Sequence, residues 1–302
     1  VKQLEVEVRP PSPFRLPGYS SEDRVMRVAG GVVSRLLRVG ESPVLVRAWE
    51  PSRGRVLLRA ETVDLAAVAA PQATRLRPSR PAGSAELQLA TERMRFALGV
   101  DDDLGEFYRR FRRDPLLGPV LRRRPWLRPR RRPWAWEALA WAVVKQLIES
   151  ERAARIQRRI VGRWGARLGR EREALRDVPS AETIAGRAPA ELAAMDLSPG
   201  RSLALQAVAR EIASGRCDPS DPRGDRRLLA VPEIGPWTVQ CLGLFGRGDP
   251  DSLPAGDLIY LKLVGRLARL GRRATVEEVE GFYAPYEPFR GLAGLWTIGL
   301  YR

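Results

Sequence analysis

The spacing of apolar residues changes period once along this chain, and that change limits what it can fold into. In the first third, residues 34–39, 44–49 and 55–60 are short β-branched or apolar runs. They are separated by Gly40-Glu41-Ser42-Pro43 and Pro51-Ser52-Arg53-Gly54, which are turn formers, so an antiparallel meander is predicted. The stretch Pro78-Ser79-Arg80-Pro81-Ala82-Gly83-Ser84 reads as a linker. From about Glu86 the apolar spacing is helical, with helices predicted over 87–98, 104–112, 136–149, 152–164, 190–195, 201–214 and 258–270. The expected fold is mainly α with a small N-terminal α+β domain: an antiparallel-sheet unit over 1–84 and an all-helical domain over 85–302. With 302 residues and 44% hydrophobic content, the chain can bury a core in each.

A formal net charge of +16 points to a polyanion as partner, with nucleic acid first. Only Lys2, Lys145 and Lys262 among the 52 basic residues are lysines, a skew that carries no functional weight beside the basic excess itself. The run Arg122-Arg123-Arg124-Pro125-Trp126-Leu127-Arg128-Pro129-Arg130-Arg131-Arg132-Pro133 reads as an irregular solvated loop, or else as a loop facing phosphates.

Composition also excludes. Without histidine, the usual neutral-pH acid/base and the commonest zinc and haem ligand are missing, which leaves acid/base work to carboxylates. Cys217 and Cys241 are too few for a four-cysteine cluster or a disulfide framework, and a reduced, cytoplasmic setting is expected. No uncharged apolar run has the length of a membrane span, and the first residues lack a signal-peptide core, so no membrane association or export is expected.

The chemistry is expected in a segment beginning Asp225-Arg226-Arg227-Leu228-Leu229-Ala230. It continues through Val231-Pro232-Glu233-Ile234-Gly235-Pro236-Trp237-Thr238. A short helix enters a tight turn and a second helix leaves it. Pro236 suits the first position of that second helix, and Gly235 is expected to supply backbone freedom and close approach before it. Exposed amides at a positive helix end can hold a phosphate without reading sequence, although such a turn is by itself an ordinary helix connection. Beyond Gly248-Asp249-Pro250-Asp251 comes Leu253-Pro254-Ala255-Gly256-Asp257-Leu258, where Asp257 introduces another apolar helix. Taken alone, Asp257 is a helix N-cap.

Together these motifs resemble the helix-hairpin-helix DNA glycosylases, whose hairpin is followed about twenty residues later by a Gly/Pro-rich turn ending in the essential aspartate. The resemblance implies a catalytic Asp257 and a DNA-binding hairpin of Pro232, Glu233, Ile234, Gly235, Pro236 and Thr238. Trp136-Glu137-Ala138-Leu139-Ala140-Trp141-Ala142-Val143-Val144-Lys145-Gln146-Leu147-Ile148 resembles a helix of the 3-methyladenine DNA glycosylase II family. Gln146 and Leu147 then match the wedge inserted into the duplex, although Leu147 alone would read as a core leucine. Residues 285–293, Pro285-Tyr286-Glu287-Pro288-Phe289-Arg290-Gly291-Leu292-Ala293, are similar to the family's closing helix. Glu233 and Lys145 stand where the family usually has glycine, so an anion is expected near the hairpin phosphate.

The function this resemblance implies is a monofunctional hydrolase of base excision repair, removing alkylated purines such as 3-methyladenine from double-stranded damaged DNA. Base release without strand cleavage is expected, because Trp237 occupies the position of the lysine that bifunctional relatives use. Trp237, Cys241, Tyr19 and Trp296 are candidate base-pocket residues, and an indole at 237 reads equally well as interhelical packing. No cofactor is expected apart from a monovalent cation that the hairpin backbone could hold. The implied protein is a nucleoid-associated monomer with no obligate protein partner. Two alternatives stay open: a glycosylase of this fold for oxidised or deaminated bases, and a non-catalytic helix-hairpin-helix DNA-binding protein.

Overall fold

Leu4, Val6 and Val8 alternate with charged residues and form the outer strand β1 (Gln3–Val8). It joins β2 (Met26–Ala29), β3 (Val32–Val39), β4 (Ser42–Ser52) and β5 (Arg55–Thr62) in one antiparallel sheet of order β1-β5-β4-β3-β2. The computed structural model describes residues 2–64, 68–69, 81–169 and 174–299, so residues 78–80 of the linker lie outside the described residues. The short strands β6 (Val68–Ala69), β7 (Arg167–Leu168) and β8 (Leu175–Arg176) make a second small sheet.

The helices are α1 (Ser84–Leu98), α2 (Gly105–Phe111), α3 (Leu117–Arg123), α4 (Ala135–Lys145), α5 (Ser150–Trp164), α6 (Ala181–Ala185) and α7 (Pro189–Ala193). They continue with α8 (Pro199–Ala213), α9 (Asp225–Leu229), α10 (Pro236–Leu242), α11 (Leu258–Leu267), α12 (Val276–Tyr283) and α13 (Arg290–Gly299). No helix among the described residues is long and apolar enough to cross a membrane.

Packing divides the helices into two groups. Leu139 and Val143 of α4 pack with Ile156 and Ile160 of α5, Leu205 and Val208 of α8, Leu228 of α9 and Leu242 of α10. Phe107 of α2, Leu117 of α3, Tyr260 of α11, Tyr283 of α12 and Trp296 of α13 form the other core. The hairpin therefore belongs to the first core and the Asp257 helix to the second. Any cleft between them is walled by α10 on one side and the head of α11 on the other.

Helix α1 does not join either group. Leu87, Ala90, Met94 and Leu98 bury against Val33, Leu37, Val46 and Leu58 of the sheet, so by side-chain packing the sheet unit runs on to Val100, past the boundary drawn at residue 84. The same sheet face, between Val33 and Leu37 of β3, carries Arg35, which is buried and donates to both carboxylate oxygens of Glu137 on α4 at 2.8 Å. It also reaches Asp177 at 3.3 Å. Burial, with the Asp177 charge acting against the pull of Arg35, pushes Glu137 up to about 7. Asp23 accepts from Trp141 Nε1 at 2.8 Å and from Arg132 at 2.5 Å. Burial works to raise the Asp23 carboxyl, but Arg132 and Arg35 hold it down at about 2. Helix α4 is thus keyed to the N-terminal unit by ionic contacts from the sheet side.

Two expectations about this region change. The stretch 122–133 is not simply a solvated loop: its start is the last turn of α3, Arg131 makes a two-pronged bond to Asp102 at 2.7 and 2.9 Å, and Pro133 is buried. The helix predicted over 136–149 stops at Lys145, because Leu147 adopts φ 52, which is incompatible with continuing a right-handed helix.

Candidate nucleic-acid interface and cleft

Asp257 is the N-cap of α11, with its Oδ1 accepting the Ile259 N–H at 3.0 Å. That is the only hydrogen bond of its side chain among the described residues, which leaves Oδ2 uncommitted on a half-buried carboxylate. Gly256 precedes it, with the β-carbon of Trp237 only 3.8 Å from where a Cβ on Gly256 would lie. Trp237 therefore packs over the turn that presents Asp257. Its indole is half-buried and its Nε1 has no partner among the described residues.

One helical turn beyond Trp237, Cys241 is buried. Burial, with a smaller push from the Asp257 carboxylate, raises its thiol well above the ordinary range, and Lys145 pulls the other way. Burial likewise raises the Tyr260 hydroxyl, with Tyr283, Asp257 and Cys241 adding to it. Trp237 thus lies against the turn before Asp257, and the Asp257 charge acts on both Cys241 and Tyr260. The spacing of Asp257 and Tyr260, three apart on α11, is the signal by which Tyr260 could have been found in the sequence.

At the hairpin, Gly235 caps α10 and Pro236 occupies its first turn. The conformational demand falls elsewhere than expected. Gly235 has φ −109 and ψ 179, an extended geometry open to any residue, with nothing within 4 Å of a Cβ built there. Glu233 takes the left-handed position, at φ 71. A glycine there would be free of strain, and this chain holds a glutamate in it. The Glu233 carboxylate lies over the first turn of α8, so close that a Cβ on Gly200 would come within 3.1 Å of Oε1. The positive end of a 15-residue helix thus neutralises part of the anion.

Pro232, Glu233 and Pro236 are exposed, whereas Ile234 is buried in the first core. Thr238 is also buried, and its hydroxyl accepts from Gln146, so its side chain is not on the outer surface of the hairpin. Gln146 Nε2 donates both to Thr238 Oγ1 at 3.0 Å and to the Glu233 carbonyl at 2.7 Å. Arg201, also missed in the sequence, donates to the Val144 carbonyl at 3.1 Å and to Ser198 Oγ at 3.0 Å, fastening the end of α4 to the start of α8. Leu147, next along the chain, is fully exposed, so its reading as a core leucine fails.

The remaining pocket candidates separate. Tyr19 is exposed, with the Arg130 guanidinium 3.8 Å from its ring centroid. Trp296 is completely buried, edge-on to Phe107 at 5.3 Å, and belongs to the second core: it packs α13 against α2 instead of lining a pocket. Among the described residues no group of three Cys, Asp or Glu side chains could hold a metal ion. At the hairpin backbone, the Val231 carbonyl accepts from Ile234 and the Glu233 carbonyl from Gln146.

No family model matches the chain. It is 31% identical over 221 residues to the probable bifunctional transcriptional activator/DNA repair enzyme AlkA of Mycobacterium tuberculosis, an alignment covering 70% of this chain and 43% of that protein. The chain thus spans less than half the length of that relative. It is 22% identical over 292 residues to the DNA-3-methyladenine glycosylase of Bacillus subtilis, covering 93% of this chain and 91% of the other. The solved structure of the 3-methyladenine DNA-glycosylase from Archaeoglobus fulgidus superposes with a TM-score of 0.76 at 20% identity, over 99% of this chain and 97% of that one. The last likeness shows the fold.

Proposed function

Because the chain belongs to the helix-hairpin-helix DNA glycosylases, in the family of the 3-methyladenine enzymes, we propose that it is a monofunctional glycosylase of base excision repair. Its substrate in this reading is an alkylated purine in duplex DNA, extruded from the stack before its N-glycosidic bond is cut. The observation that carries the reading is the second carboxylate oxygen of Asp257. One oxygen caps α11 and the other is uncommitted, at the head of a helix whose capping turn is covered by Trp237.

Breaking an N-glycosidic bond builds positive charge at the sugar C1′ as the base departs. A fixed carboxylate next to that carbon lowers the energy of the charged state directly, and the same group orients the water that completes the hydrolysis. A cap bond to Ile259 keeps the carboxylate from rotating away. An alkylated purine already carries positive charge and leaves readily, so a second, acidic group is unnecessary in a chain without histidine. The Trp237 indole offers a stacking face that favours an electron-poor ring.

Other elements serve extrusion. Exposed Leu147 is the side chain free to enter a duplex, and the open space at Gly235 with the Trp237 amide at the head of α10 suits a phosphate. The net charge of +16 favours duplex association through the backbone. Trp237 carries no amine, and release of base without strand cleavage follows; borohydride should trap no protein–DNA adduct.

The test is Asp257→Asn, which keeps a capping side chain but removes the charge. Single-turnover release of 3-methyladenine or 7-methylguanine from methylated duplex should fall on the order of 100-fold, with thermal stability unchanged. A stable variant releasing these bases at the parental rate refutes the assignment. A wild-type chain that binds lesion duplex and releases nothing from it points to the non-catalytic alternative.

A further inference from the structure

Lys145 is the last residue of α4, one position before the glutamine that bonds the hairpin and two before exposed Leu147. Its side chain meets Glu22 of the segment between β1 and β2. The contact is a single one, Nζ to Oε2 at 3.4 Å, between side chains 38% and 53% exposed. Such a pair is long, monodentate and screened by water, and it holds its partners weakly. Glu22 itself is fixed through its backbone, since its carbonyl accepts from Arg158 at 2.8 Å. The ammonium is also close enough to the buried Cys241 to oppose the influence of Asp257 on that thiol. One exposed cation therefore lies two positions before the wedge residue, paired weakly with an exposed carboxylate whose backbone is held.

We infer that Lys145 is a DNA-binding residue which leaves Glu22 for the phosphodiester beside the extruded nucleotide, with Glu22 acting as the competing anion in the free protein. The inference rests on the glycosylase reading and its wedge at Leu147. A lysine is suited to such an exchange, being a compact point charge on a four-carbon stem that can swing to a phosphate without the planar match a guanidinium requires. A phosphate at the strand the wedge enters offers a shorter, less water-screened charge-assisted contact than the single exposed carboxylate oxygen at 3.4 Å. A simpler role for Lys145 is to offset the negative end of α4, and that role predicts no dependence of DNA binding on Glu22.

The experiment is a binding cycle on duplex containing a tetrahydrofuran abasic analogue, measured across salt concentrations for wild type, Lys145→Gln, Glu22→Gln, the double variant and Lys145→Arg. Lys145→Gln should weaken binding about tenfold and make the slope of log K against log salt shallower by about 0.9, one phosphate contact. Glu22→Gln should tighten binding about threefold by removing the competitor, and should have no effect once Lys145 is gone. Lys145→Arg should retain the slope. An unchanged slope in Lys145→Gln, or a Glu22→Gln gain that persists in the double variant, overturns the inference, including the case where Lys145→Gln changes only thermal stability. If wild type shows no preference for the abasic analogue over undamaged duplex, the glycosylase reading fails instead, and the two failures are told apart by that control.

Discussion

The Gln146 side-chain amide donates to the backbone carbonyl of Glu233 at 2.7 Å, joining the turn after α4 to the hairpin before α10 across 87 residues of sequence. Its second bond, to Thr238 Oγ1, reaches into the first turn of α10. These are the two elements that must act on one stretch of DNA in the proposed reaction: the wedge turn opens the stack and the hairpin grips the backbone. Tying them directly means that gripping a phosphate and inserting Leu147 occur in fixed register. Arg201 repeats the arrangement from behind by holding the Val144 carbonyl.

Gln146→Ala removes both bonds while leaving the helices on either side intact. With each bond worth about 1 kcal/mol, single-turnover excision should fall by up to roughly 30-fold. Affinity for undamaged duplex should change much less, because the hairpin and the basic surface are untouched. Parallel excision and binding measurements check this; equal losses in both would mean that Gln146 serves general DNA binding.

Leu147→Ala should cost almost nothing in stability, since the side chain is fully exposed, and the change should stay within about 0.5 kcal/mol. Excision from a fully paired site should drop roughly tenfold, with a smaller loss where the lesion is mispaired and already poorly stacked. Replacement by glycine instead of alanine should raise thermal stability slightly, because φ 52 is then free of strain. An excision loss independent of pairing would argue against a wedge.

How far these features can be read from sequence depends on whether they are local. The hairpin and Asp257 are legible because a proline in the first turn, an N-cap aspartate and their separation are short-range signals. The capping box of Thr275 and Glu278 is equally local, yet the charged run between 276 and 280 hides helix α12. Helix α3 is hidden by Gly118 and Pro119 within it, and that glycine is demanded by the Arg112 carbonyl, which a Cβ would approach to 2.7 Å. Trp296 shows a different limit: a tryptophan on an apolar helical face looks the same in sequence whether it lines a pocket or fills a core. The contacts of Gln146 with Glu233, Glu233 with Gly200 and Arg35 with Glu137 join residues far apart in the chain, and no local pattern announces them.

Glu233→Gly tests whether the unusual hairpin anion restrains DNA binding. The substitution relieves a left-handed φ of 71 and loses the carboxylate lying over the start of α8, two effects of opposite sign on stability that should nearly cancel. Affinity for duplex should rise about threefold to tenfold, because a negative charge beside the proposed phosphate position has gone, and the gain should shrink at high salt. Unchanged affinity would show that α8 already neutralises the carboxylate fully.

The buried contact between Arg35 and Glu137 makes the stability of the α4 anchor depend on pH in a direction unusual for a salt-bridged carboxylate. Burial raises the Glu137 carboxyl to about 7 from the 4.5 of an unperturbed glutamate, so between these values the folded chain holds a proton that the unfolded chain releases. The associated stability is fully present below pH 4.5 and is lost as pH rises through 7. Asp23 acts oppositely: held at about 2 against 3.8 when unperturbed, it stabilises above 3.8, and its contribution disappears as pH falls through 2. From about pH 5 to 8 the Asp23 component is therefore constant and that of Glu137 varies. The melting temperature should fall by a few degrees across this window at fixed ionic strength. Glu137→Gln, which keeps the shape of the neutral acid but cannot ionise, should flatten the dependence and leave the variant relatively more stable at about pH 8 than at about pH 5 when each is compared with wild type. Thermal unfolding of both proteins at several pH values gives the two slopes, and a slope unaffected by Glu137→Gln would assign the titration to Asp177, whose carboxyl is raised by the same burial.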